Sequence, residues 1–181
     1  MFESSLLSVQ IFSSLTLVGD VFFPFLLLFL FLGSGKWHQK IFSHIGHYAF
    51  QYGLFTVGAG ILGSMFFSSV IGFAPCELCW YQRIFLFPQF FIFAVALWKK
   101  DNTAIYYSLA LSLVGIVLAF YQSYIQWGGL SILPCTAEGA ECSKIFFKEF
   151  GYITIPVMSF TTFAYLILLM YIRKRSTTNR V

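Results

Sequence analysis

Charge is what this sequence lacks. Only 10% of its 181 residues are Asp, Glu, Lys or Arg, where a soluble domain carries about 25%. Apolar residues fill the deficit: they make up 59% of the chain, 24 of them are Phe, and mean hydropathy is +0.80. This excludes an ordinary soluble domain and indicates an integral membrane protein of single-domain length. A concentrated basic patch is also missing. The net charge of +4 is scattered in short clusters between apolar runs, which excludes a nucleic-acid partner and reads as a topology signal. The dyad alternation of a membrane barrel is absent. No Lys or Arg precedes Lys36, so the basic region of a signal peptide is lacking, and a retained first helix is expected.

What is present is a set of five apolar runs, at about 11–32, 48–73, 80–98, 104–127 and 152–172. Each approaches the roughly 20 residues a helix needs to cross a bilayer. The expectation is an all-α membrane protein. The first run contains Pro24 and Asp20. Asp20 is either a functional intramembrane acid or, the favoured reading, a residue near the outer interface or facing neighbouring helices. Lys36, Lys40, Lys99, Lys100, Arg173, Lys174, Arg175 and Arg180 all fall on one side of the runs. The positive-inside rule makes that side cytoplasmic and puts the amino terminus outside.

The four cysteines then fall together on the opposite side. Cys76 and Cys79 lie between the second and third runs, and Cys135 and Cys142 between the fourth and fifth. Disulfides persist on an extracytoplasmic face, so charge and cysteine placement, read separately, agree. Beyond Cys142, Ser143 to Phe150 reads as a short amphipathic helix, with Phe146, Phe147 and Phe150 on one face and Lys144 and Lys148 on another. Such a piece would lie on the bilayer surface.

The densest chemistry is in Cys76-Glu77-Leu78-Cys79-Trp80-Tyr81-Gln82-Arg83. A Cys-x-x-Cys pair can close and reopen a disulfide and so carry two electrons. If the third helix begins near Cys79 or Trp80, its positive end stabilises a thiolate at Cys79. Arg83, four residues on, lies one turn deeper on the same face and adds a positive charge. Gln82 offers a donor beside it. A quinone carbonyl could be held by Arg83 or Gln82. The bland competitors are a structural clip at Cys76–Cys79, which closes too short a loop to stabilise much; a zinc site, for which Cys135 and Cys142 are too widely spaced; and an Arg83 that merely snorkels. Trp80, Tyr81, Trp98 and Trp127 read as interfacial aromatics. His38, His44 and His47 read as headgroup-facing, and no metal site is expected.

These residues resemble the DsbB/BdbC family of disulfide-bond-forming membrane proteins, which are quinone-dependent thiol oxidases. The likeness rests on the Cys76–Arg83 signature, the downstream pair Cys135/Cys142, and Ile155-Pro156-Val157-Met158-Ser159, over roughly residues 45–173. It implies a four-helix transmembrane bundle of DsbB type over 45–175. An extra transmembrane helix and cytoplasmic connector would occupy 1–44, and a cytoplasmic tail 176–181. It implies a multi-pass protein of the bacterial inner membrane with its cysteine loops periplasmic and its carboxyl terminus cytoplasmic. A reduced DsbA-like, thioredoxin-fold dithiol carrier would attack Cys135. Cys142 would then attack the Cys76–Cys79 disulfide at Cys76, and Cys79 would meet the quinone, ubiquinone or menaquinone, beside Arg83 and Gln82. Two other functions compete: a membrane oxidoreductase that runs electrons the other way to reduce thiols, and a non-enzymatic scaffold stapled by two static disulfides.

Overall fold

The computed structural model describes residues 2–33, 35–130 and 142–178. Within them the chain forms helices α1 (Phe2–Leu32), α2 (Lys36–His47), α3 (Ala49–Met65), α4 (Glu77–Lys99), α5 (Ala104–Gln126) and α6 (Ile155–Thr178), with a π-helical turn at Phe66–Val70 closing α3. Among the described residues no extended strand forms, and one isolated bridge joins Glu149 to Ile153. Five helices are long and apolar enough to cross a membrane: Leu7–Leu30, Ala49–Val70, Glu77–Lys99, Ala104–Gln126 and Ile155–Thr178. The chain is therefore a multi-pass membrane protein, as its five apolar runs predict.

Helices α3, α4, α5 and α6 pack as a four-helix bundle, with α1 set against α6 and α2. The apolar core occupies the half of the bundle remote from the cysteines. Phe50 and Val57 of α3, Phe93 and Ala96 of α4, Ile105 of α5, and Phe163, Leu166 and Met170 of α6 meet there. Close approach depends on small residues, as expected where lipid gives no hydrophobic drive to associate. Gly115 of α5 has no room for a methyl group, because the Phe163 ring lies where it would go. A buried polar knot joins α4 to α5: Gln89 Oε1 accepts from Ser108 Oγ at 2.7 Å and from Ser112 Oγ at 3.2 Å. The end rich in Lys and Arg is tied by Arg173. Its guanidinium donates to the carbonyls of Gly46 (2.9 Å) and His47 (3.0 Å) at the end of α2, and to Asn102 Oδ1 between α4 and α5.

Three local expectations change. The connector after the first run contains α2, whose interleaved Lys, His and aromatic residues hide a helix from a reading based on apolar runs. Helix α4 starts at Glu77 rather than near Cys79 or Trp80; hydropathy marks where the membrane begins, not where the helix does. The segment Ser143–Phe150 is not helical. Eight residues nucleate a helix poorly, and aromatic packing fixes this backbone otherwise. Phe146 stacks on Phe73 at 4.7 Å and Phe147 packs on Phe67 at 5.5 Å. Phe150 and Gly151 then turn with positive φ into the Glu149–Ile153 bridge.

Candidate active site

The site is built where α4 begins. Pro75 keeps the residue before it extended, and Cys76 takes the helix N-cap position with φ −78° and ψ 172°. Its carbonyl accepts the first helical hydrogen bond, from Trp80 N at 3.1 Å. Cys79 is therefore the third residue of the first turn, at the positive end of the helix. N-cap and third position face one another across that turn, which brings the two sulfurs to 3.0 Å. Both thiols are free. The hydrogen bond to Cys79 first, and burial second, hold the Cys76 thiol well above its ordinary range, so Cys76 keeps its proton.

The sulfurs have a partner that sequence reasoning missed. Gln122, buried on α5, donates from Nε2 to Cys76 Sγ at 3.1 Å and to Cys79 Sγ at 3.3 Å. Its Oε1 accepts from Gln82 Nε2 at 2.6 Å. Gln82 thus reaches the dithiol through Gln122, with its amide N–H turned to that residue. A signal was available: an amide inside the apolar run 104–127 needs a buried partner.

Arg83 lies one turn below Cys79, as the spacing predicts. Its Nε donates to Ser64 Oγ at 2.8 Å and its Nη2 to Ser64 O at 3.0 Å, and its guanidinium sits 5.0 Å from the Trp80 ring centre. Ser64 lies two residues before the π-turn of α3, a helix irregularity of the kind that collects at functional sites. Two of the five guanidinium N–H groups are used by Ser64.

Cys79, Gln82 and Arg83 line a cavity of about 410 Å³, within the range of small-molecule sites. Ser64, Phe67 and Phe73 form its α3 side, Met158, Ser159 and Thr162 its α6 side, and Phe146 closes the end near the cysteines. On the other flank of the dithiol, Cys76 packs in a buried cluster with Leu78, Ile125 and Cys142. Cys142 is disulfide-bonded, and the strand of chain after it is held to α5 by Gln126 Nε2, which donates to Lys144 O at 3.1 Å. Cys135 lies outside the described residues. The structure thus brings Cys76, Cys79, Gln82, Arg83 and Cys142 into one region. Chemically, the region is a dithiol with one sulfur at a cavity that carries a cation and the other in a buried cluster with a disulfide-bonded cysteine.

Comparison with known proteins gives a consistent result. Residues 47–172 match the family described as "Disulfide bond formation protein DsbB". The chain is 42% identical over 105 residues to the SPbeta prophage-derived disulfide bond formation protein B of Bacillus subtilis, covering 58% of this chain and 71% of that one. It is 38% identical over 119 residues to a probable disulfide formation protein of Metapseudomonas resinovorans, covering 65% and 83%. It is 36% identical over 116 residues to disulfide bond formation protein C of Bacillus subtilis, covering 63% and 83%. No solved structure matches.

Proposed function

The chain belongs to the DsbB family of disulfide bond formation proteins, and from that premise we propose that it is a protein dithiol:quinone oxidoreductase. It reoxidises a thioredoxin-fold carrier outside the cytoplasmic membrane and thereby supports disulfide formation. One observation carries this reading: Cys79 lines the cavity that holds Arg83, while Cys76, 3.0 Å away, shares a buried cluster with Cys142. One dithiol therefore touches both the membrane side and the partner side of the relay.

The exchange steps balance. A carrier thiolate attacks Cys135, forming a mixed disulfide, and Cys142 leaves as thiolate. Cys142 attacks Cys76 of the oxidised Cys76–Cys79 pair, and Cys79 leaves as thiolate. The second carrier thiol then displaces Cys135, releasing oxidised carrier. Cys135 displaces Cys76 from Cys142, restoring the Cys135–Cys142 disulfide. Two electrons and two protons have moved from the carrier to Cys76 and Cys79.

The cavity suits a quinone. Its walls are largely apolar, its volume admits a ring, and Arg83 offers donors beyond those used by Ser64 among the described residues. A bound quinone supplies a sink for two electrons and two protons. Cys79 Sγ presents the reacting sulfur, and Gln122 Nε2 holds it in place. Arg83 stabilises negative charge beside it, in a setting where water does not screen that charge. Cys76 Sγ retains its proton until the Cys79 sulfur has reacted.

On this reading the end bearing the cysteines is extracytoplasmic and the end bearing Arg173 is cytoplasmic. The test is anaerobic mixing of purified protein with a reduced thioredoxin-fold donor and either ubiquinone or menaquinone, followed by quinone absorbance. Wild-type protein reduces at least one quinone, and Cys79→Ser reduces neither. Turnover by Cys79→Ser would sink the proposal.

A further inference from the structure

Helix α1 precedes the region matched by the family, which begins at residue 47. It also contributes to the cavity. Phe12, Leu15, Thr16 and Gly19 line it from the side opposite Arg83's helix, across the gap between α3 and α6. The helix is fixed to both edges of that gap. On the α3 edge, the Phe12 ring packs on Phe66 and Phe67 at centroid distances of 5.9 and 5.3 Å. On the α6 edge, Tyr165 donates its hydroxyl to Gly19 O at 2.7 Å, and Phe23 packs edge-on against the Tyr165 ring. Asp20 completes this second attachment. Its carboxylate accepts from Thr161 Oγ1 at 2.6 Å and from Tyr152 Oη at 3.0 Å.

An acid in an apolar helix is costly unless its lone pairs are occupied. Here two hydroxyls occupy them, both from the approach to α6 or its first turns. The opposite face of α1 is exposed and, from Val18 onward, apolar, with Val18, Val21, Phe22, Phe25 and Leu28 all more than half accessible. The polar anchors, Phe12, Thr16 and Gly19 therefore share the bundle side of the helix, Leu15 stands at its edge and is 65% accessible, and the other side suits lipid.

We propose that α1 is a fourth wall of the quinone site, contacting the ligand through Phe12, Leu15 and Thr16, and that Asp20 is the positioning residue that keeps this wall closed over the gap between α3 and α6. This inference rests on the quinone reading above and adds to it a subsite supplied from outside the matched region. The wall separates the ligand from lipid on that side, so the hydrophobic tail leaves past α1 rather than straight through the gap. Tail length and bulk are then discriminated by α1.

The test uses the full-length protein in lipid nanodiscs with a photoactivatable azido-quinone, adducts being mapped by peptide mass spectrometry with and without excess unlabelled quinone. Competable adducts are expected on α1 between Phe12 and Gly19 as well as on α3 or α6. Thr16→Trp, which fills the cavity side of α1, is expected to weaken equilibrium quinone binding about tenfold, a change typical of altered packing in an apolar pocket. Leu28→Trp, on the lipid face, leaves binding unchanged. Asp20→Leu lowers the α1 adduct yield, and Asp20→Asn, which still accepts hydrogen bonds, restores most of it. Competable adducts on α3 or α6 with none on α1 would overturn the wall and leave the quinone reading intact. No competable adduct anywhere in the cavity would remove the quinone reading, and this inference with it. Labelling of the wild-type chain decides the matter even if a variant fails to fold.

Discussion

At the scale of single residues, the two sulfurs of one Cys-x-x-Cys are made unequal by where the helix starts. Cys76, at the N-cap, is 3% exposed and hydrogen-bonded to its partner. Its thiol is raised above the ordinary value, so it stays protonated through neutral pH and gains a reactive thiolate only in alkaline solution. In the reduced protein, iodoacetamide should therefore modify Cys79 before Cys76 at neutral pH, and the gap should narrow as pH rises; peptide mass spectrometry of timed samples reads both. Equal rates at neutral pH would contradict the assignment. Gln122 provides a second residue-scale prediction. It donates to both sulfurs, and a hydrogen bond to a charged group contributes about 1.5–3 kcal/mol. Gln122→Leu keeps the volume and removes the donor. It should slow the quinone-reducing step about tenfold or more, with exchange at Cys142 little changed, as separated by single-turnover kinetics. Gln122→Glu replaces the amide donor with a group that is an acceptor when ionised, and should be at least as damaging.

At the scale of elements, helix contacts depend on small residues and polar ties. Gly115 faces the fully buried Phe163 ring. A branched side chain there overpacks the α5–α6 contact, so Gly115→Val should cost about 1–3 kcal/mol, read as a lower midpoint in detergent-monitored thermal unfolding. Arg173→Ala should free the end of α2 and be seen as faster amide exchange at residues 44–47, because the carbonyls of Gly46 and His47 lose their donor. These elements differ in how far the sequence announces them. The five spans are legible because bilayer crossing demands long apolar runs. The Cys76–Arg83 turn is legible because its chemistry is local, with donor, cation and dithiol within two helical turns. Helix α2 is not, since its apolar positions are too interrupted for a hydropathy reading. Ser143–Phe150 misleads because periodicity alone cannot see that Phe73 and Phe67 wait to receive Phe146 and Phe147. Gln122, 39 residues beyond Arg83, and the cavity, gathered from α1, α3, α4 and α6, are products of tertiary packing.

For the whole molecule, the two halves of the bundle are unlike. The half near Arg173 holds the apolar core, and the half near the cysteines holds the cavity and the dithiol. This division places rigidity away from the chemistry and leaves space where a ligand must enter and leave. It also makes function depend on orientation. On the proposed relay the Cys135/Cys142 pair is useful only on the side where oxidising carriers work, and Lys36, Lys40, Lys99, Lys100 and Arg173 must then face the cytoplasm. The orientation can be measured on a chain with its own cysteines replaced by serine and one cysteine introduced at a time. At Gly128, just past the end of α5, the new thiol should react in intact cells with a membrane-impermeant maleimide. At Gln39 in α2 it should react only after the membrane is permeabilised, whereas Leu28→Cys, facing lipid, should react poorly in both. The reverse pattern at Gly128 and Gln39 would place the dithiol in the reducing compartment. A pair held open there by cytoplasmic thiols could not act as an oxidase, so orientation and direction of electron flow stand or fall together.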